Sequence, residues 1–158
     1  MNDYDYFSEC YHDEVDRNRS IHGYGFKPEP IFYGNYSDRY FGVELEIDGA
    51  EKERDNADEL LAVANMNDTE HIYIKSDSSL DEDLELVSHL MSLNYHKQFC
   101  WEEIMRNAIV LGYSSHQTST CGLHCHVNRY CFGDTREERD LAISRILFFV
   151  EKHWAELL

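Results

Sequence analysis

From Tyr40 the chain falls into a regular alternation. Phe41, Val43, Leu45 and Ile47 are apolar and interleave with Gly42, Glu44, Glu46 and Asp48, the period of a strand with one buried face. Gly49 ends the pattern. HIYIK at 71–75 and LELVS at 84–88 read as two further short strands, joined by the polar turn SDSSLDED. GLHCHVN at 122–128 alternates again, with Leu123, Cys125 and Val127 on one face and His124, His126 and Asn128 on the other.

Between these strands the period changes. Asp55 is placed to cap a helix carrying Leu60, Leu61 and Ala64. Trp101, Ile104, Met105, Ala108 and Ile109 fit the template of one apolar helix face, and Gly112 is placed to stop that helix. The last helix opens at Asp134 with a capping box, Thr135 to Glu138, and keeps Ile143, Ile146, Leu147, Val150, Trp154 and Leu157 on one stripe. Residues 1–36 show no sustained period and hold both prolines, Pro28 and Pro30, so an irregular or extended arm is expected there. The expected organisation is an N-terminal Tyr- and acid-rich arm, 1–36, followed by one α+β domain, 37–158. Its strands form a mainly antiparallel sheet with helices packed on one face.

A length of 158 residues allows one core, and 42% hydrophobic residues are enough to fold it despite the charge. That charge is lopsided: 31 acidic against 14 basic residues leave a formal net charge of -17. Such a chain repels nucleic acid and anionic membranes and attracts cations or basic protein surfaces. The first residues lack a basic leader, and ILFFV at 146–150 is too short to span a bilayer, so a cytoplasmic protein is expected. Five cysteines without paired CxxC spacing suit reduced thiols better than disulfides or structural zinc.

The polar faces of the strands carry the candidate chemistry. Two residues along a strand rise about 6.6 Å, so Glu44 and Glu46 project from the same sheet face. Glu85, between Leu84 and Leu86, points away from the side those leucines bury, and His124 and His126 share one face of their own strand. Each feature alone also reads as a solvated outer face of an acidic protein. Together they place Glu or His opposite the apolar side of three strands, an oxygen-rich set with imidazole that suits Mg²⁺ or Mn²⁺ better than zinc or copper. Two such cations can hold a nucleotide triphosphate and neutralise a phosphoryl group in transfer.

YFGVELEIDG, then IYIKSDSSL followed by LELVS, then TSTCGLHCHVNR, in that order, resemble the amidoligase family of bacteria and their mobile elements, carboxylate-amine ligases with a glutamine-synthetase-like fold. The resemblance runs from about Ile21 to Leu158, and TCGLHCHVN is also similar to the GSGMHxH stretch of glutamine synthetases. It implies a curved sheet like the N-terminal part of a glutamine-synthetase-like catalytic domain, with Glu and His on the concave face. It also implies ATP-dependent amide formation between a small-molecule or peptide carboxylate and an amine, through an acyl phosphate. Glu44, Glu46, Glu85 and His124 would ligate the metals, and His126 would approach the nucleotide phosphates. Asp77 would receive the cationic amine, with Lys75 and Arg129 as charge-stabilising groups for phosphate. Lys75 and Arg129 read equally as ordinary surface cations, and Asp77 as a turn-shaping residue.

The chain departs from the family pattern in three places. Ser78 and Asp83 stand where Gly is expected, Leu90 stands where Pro is expected, and family members continue beyond the position of Leu158 through an Arg-rich segment. The expectation is therefore a shortened relative or a fragment. A reading from another class rests on the charge: an acidic protein of a mobile element that mimics nucleic acid and blocks a DNA- or RNA-binding enzyme such as a CRISPR nuclease. A third is a metal-binding or oligomerising scaffold in which the exposed apolar stripe of the last helix pairs with another chain.

Overall fold

The computed structural model describes residues 20–35, 39–50, 53–76, 84–115 and 121–157. Strand β1 is Phe32–Tyr33 and β2 is Tyr40–Ile47; helix α1, Arg54–Ala64, precedes β3, Ile72–Ser76. Next come β4, Leu84–Ser88, β5, Leu90–Ser92, and two helices, α2, Leu93–His96, and α3, Trp101–Val110. Strand β6, Leu123–Val127, a 3-10 turn, Arg129–Phe132, and helices α4, Arg136–Lys152, and α5, Trp154–Leu157, complete the order.

The strands form one curled, open, mainly antiparallel sheet. β2 lies at its centre, paired on one edge with β5 and then β4, and on the other with β6. His89 interrupts the run between β4 and β5, so Val43 N–H finds the Ser88 hydroxyl at 2.9 Å instead of a ladder carbonyl. β3 continues the sheet beyond β4, and β1 adds to β5 in parallel.

The apolar side of the alternation builds the core. Ile47, Ile72, Ile74, Leu84 and Leu86 pack against Ala57, Leu60 and Ala64 of α1 and Ile104 and Ala108 of α3. Each fully buried Leu or Ile contributes about 1.5–3 kcal/mol of transfer free energy. α3 ends as its spacing predicts: Gly112 adopts φ +97°, and Tyr113 N–H returns to the Ala108 carbonyl at 2.9 Å.

Three expectations need correction. Helix α1 starts at Arg54 with Glu53 as its N-cap, because Ala57 N–H already closes on the Glu53 carbonyl; Asp55 sits in the first turn, where it favours the positive end of the helix dipole. The segment expected to be irregular or extended is tied to the sheet at two points: His22 bridges Lys75 beyond the edge of β3, and Phe32 and Tyr33 form β1. Helix α4 has the expected capping box but buries none of its side chains, so among the described residues only α1 and α3 cover the sheet extensively. Its apolar surface is also wider than one stripe, since Leu141, Phe148 and Phe149 are exposed beside it. Among the described residues no helix is long and apolar enough to cross a membrane.

Candidate functional site

Register decides what the alternation brings together. Glu44 of β2 sits opposite His124 of β6, Gly42 opposite His126, and Glu46 opposite Glu85 of β4, which in turn pairs with Lys75 of β3. Four neighbouring strands therefore present Lys75, Glu85, Glu44 and the two histidines on the face away from the helices.

Glu44 is the centre of this group. Its Oε2 lies 3.2 Å from His126 Nε2 and 3.5 Å from His124 Nδ1. Lys75 Nζ lies 2.8 Å from Glu85 Oε2, off the hydrogen-bonding direction of that oxygen, so the contact is ionic. Burial tends to raise the Glu44 carboxyl, but the hydrogen bond and charge of His126, joined by Glu85 and His124, outweigh it and hold Glu44 below its ordinary range. Glu85 goes the other way. Burial and the neighbouring Glu44 hold its carboxyl above the ordinary range, although Lys75 pulls it down. The two neighbouring carboxyls are therefore shifted in opposite directions, Glu44 down and Glu85 up.

Glu46 faces the same side but has another task. Its Oε2 accepts from Gly122 N–H at 2.6 Å, while Glu46 N–H donates to the Gly122 carbonyl at 3.1 Å. This ties β2 to the residue entering β6 and so fixes the approach of His124. A Cβ at Gly122 would stand 3.3 Å from Glu46 Oε2 and 3.5 Å from His124 Nε2, which is why a residue without a side chain suits the position. Asp48, the third carboxylate of the row, is taken up by a bridge to Ser114, and its Oδ1 accepts from Gly49 N–H at 2.6 Å.

Arg129 opens the 3-10 turn after β6, with its guanidinium 5.5 Å from the Tyr130 ring centre. No contact places it with the carboxylates. Asp77 lies outside the described residues.

Sequence reasoning passed over three residues beside the cluster. Tyr73, two positions before Lys75 on the same strand face, has its phenol pushed up to about 12, by burial first and then by Glu44, Glu85 and Glu70. It is a neutral hydrogen-bond donor at physiological pH. The alternation in HIYIK that placed Lys75 would also have found it. Tyr24, whose ring centre is 5.3 Å from Lys75 Nζ, and His89, buried at the break between β4 and β5, carry no periodic signal. Burial lowers the His89 imidazole, against the attraction of Glu70.

A cavity of about 220 Å³ adjoins the cluster, bounded by Glu44, Tyr73, His89 and His126 and closed on one side by Pro28 and Pro30. The prolines of the N-terminal segment thus stand at the site. A larger cavity, about 820 Å³ between α4 and the Arg39–Tyr40 end of β2, contains none of these residues. Convergence of titratable groups, more than volume, marks the chemistry here.

Glu44, Glu85, His124 and His126 are two carboxylates and two imidazoles, residue types that can ligate a divalent cation. Among the described residues, however, no group of three or more His, Cys, Asp or Glu is placed so that it could hold a metal ion. No family model matches the chain, and neither a curated protein nor a solved structure shows significant similarity to it.

Proposed function

We propose that this sheet face binds a divalent cation, Mg²⁺ or Mn²⁺, with ATP, and supports amide formation between a carboxylate and an amine. The observation that carries the reading is the convergence of Glu44, Glu85, His124 and His126 on one face, with Lys75 against Glu85. Glu44, Glu85 and His124 would hold the cation, which supplies charge neutralisation for phosphate oxygens. Glu46, as the structure stands, supports the ligands by holding the Gly122 backbone in place.

In the proposed reaction a substrate carboxylate oxygen attacks the γ-phosphorus and ADP leaves. The amine nitrogen then attacks the acyl carbon, phosphate leaves, and the nitrogen gives up a proton. Lys75 brings positive charge, and His126 a ring nitrogen, to the side where phosphate oxygens would gather. Tyr73, held neutral, is a donor to the same region. Calorimetric titration of Mn²⁺-ATP into the parent chain and into a Glu44→Gln, His124→Ala double variant tests the reading. Saturable binding by the parent that the variant loses supports it, and no binding by the parent removes it.

A second reading rests on the net charge of -17. The acidic chain would then act by capturing a basic, nucleic-acid-binding protein. Association that dissolves as salt is raised, with no uptake of Mn²⁺, would favour it.

A further inference from the structure

The chain carries two apolar surfaces without an occupant among the described residues. One is a groove. The helix-side face of the sheet runs past α1 and α3, leaving Phe41, Val43, Leu123 and Cys125 to form, with Trp101 and Met105, a cavity of about 440 Å³ whose lining has no charged side chain. The other is α4 with α5: Ile143, Ile146, Leu147, Phe148, Phe149 and Trp154 are 42% to 65% exposed. A helix apolar on more than one side is a helix built to be buried.

We infer that two copies of this chain form a dimer in which α4 of each copy lies in the apolar groove of the other. This goes beyond the proposed activity and stands without it. Charge favours the arrangement. Helix α4 has four basic and four acidic residues, so the whole -17 resides on the rest of the chain, and α4 meeting an uncharged groove is the contact least opposed by repulsion between two acidic bodies.

Area favours it too. The four half-exposed side chains of one stripe, Ile143, Ile146, Leu147 and Trp154, at roughly 100 Å² each offer about 400 Å² per helix. Two helices and the walls of two grooves then reach the 1,200 to 2,000 Å² or so of stable interfaces. A reciprocal exchange closes on itself by two-fold symmetry and leaves no open end.

A chain's own helix does not reach its own groove. Gly133, at φ +145°, leads into the helix in a conformation that favours glycine, and a Cβ there would meet Glu138 Cβ at 2.4 Å. Thr135 and Glu138 complete the capping box beside it, and Arg139 Nη1 donates to the Asp134 carbonyl at 3.2 Å.

Sedimentation velocity tests the inference on the parent chain and on two single variants, Leu147→Asp on the helix and Leu123→Asp in the groove. Both side chains are already exposed, at 60% and 62%, so neither change disturbs the core, and circular dichroism checks this. The expected result is a parent species of about twice 18.7 kDa that becomes a monomer in each variant. A monomeric parent, or a dimer retained in either variant, overturns the proposal.

Discussion

Replacing Lys75 with methionine isolates the electrostatics of the candidate site. The side chains of Lys75 and Glu85 are 12% and 8% exposed and meet at 2.8 Å, and methionine keeps an unbranched apolar side chain while removing the ammonium that lies 5.3 Å from the Tyr24 ring centre. At an effective dielectric of 20, the gross attraction across this distance is roughly 6 kcal/mol. Desolvation of the pair offsets much of that, and the loss on removing one partner of such a pair is about 3 kcal/mol.

The sign with pH follows from Glu85. Its carboxyl is already raised by burial and by Glu44, and losing Lys75 raises it further. A carboxyl raised in the folded state has its stability intact below the unfolded value, near 4.3, and loses it as pH rises through the folded value. Lys75→Met is therefore predicted to approach the parent's stability near pH 4 and fall behind by about 3 kcal/mol at pH 7.5, a drop in Tm of roughly 6–12 °C for a chain of this length. Urea denaturation followed by circular dichroism across this pH range, in EDTA to exclude cations, measures it. Adding Glu85→Gln removes the orphaned charge and returns most of the loss. A Lys75→Met variant equally destabilised at every pH, or unchanged at pH 7.5, refutes the reasoning.

Other changes act on separate parts of the account. Glu44→Gln flattens the acid limb of the stability curve, because a carboxyl held low in the folded state stabilises above its unfolded value and gives up that contribution as pH falls through its folded value; an acid titration of parent and variant compares the two limbs. Glu46→Ala removes the 2.6 Å bond to Gly122 N–H and costs about 1 kcal/mol, with faster amide exchange at residues 121–124 as its local signature. Leu60→Ala, at a fully buried position between α1 and the sheet, costs about 2–5 kcal/mol in urea denaturation. Thr135→Ala breaks the α4 capping box and lowers stability by about 1 kcal/mol, read as a loss of helical signal on heating.

The strands and their faces were legible because alternation needs no knowledge of the partner. Leu84 and Leu86 turn to the core and Glu85 away from it, as their spacing requires. Register was not legible. Period 2 says that Glu44 and Glu46 share a face, but only the pairing with β6 decides that Glu44 meets the histidines while Glu46 meets the Gly122 backbone.

The N-terminal segment was opaque for a related reason. His22, Pro28, Pro30 and β1 owe their positions to sheet edges and a cavity supplied by distant residues, and no local period records that. For α4 the pattern and the capping box announced a helix correctly. A stripe of apolar residues states that something must cover it, but carries no information on what does.

Paramagnetic broadening by Mn²⁺ tests the central claim most directly, since it reports where a cation sits residue by residue. With Mn²⁺ well below one equivalent, the account predicts selective loss of the His124 and His126 ring signals and of amide signals at 42–46, 85 and 123–126, restored by excess EDTA and absent in Glu44→Gln, His124→Ala. Diffuse broadening over the acidic surface, with these signals no more affected than others, would contradict it.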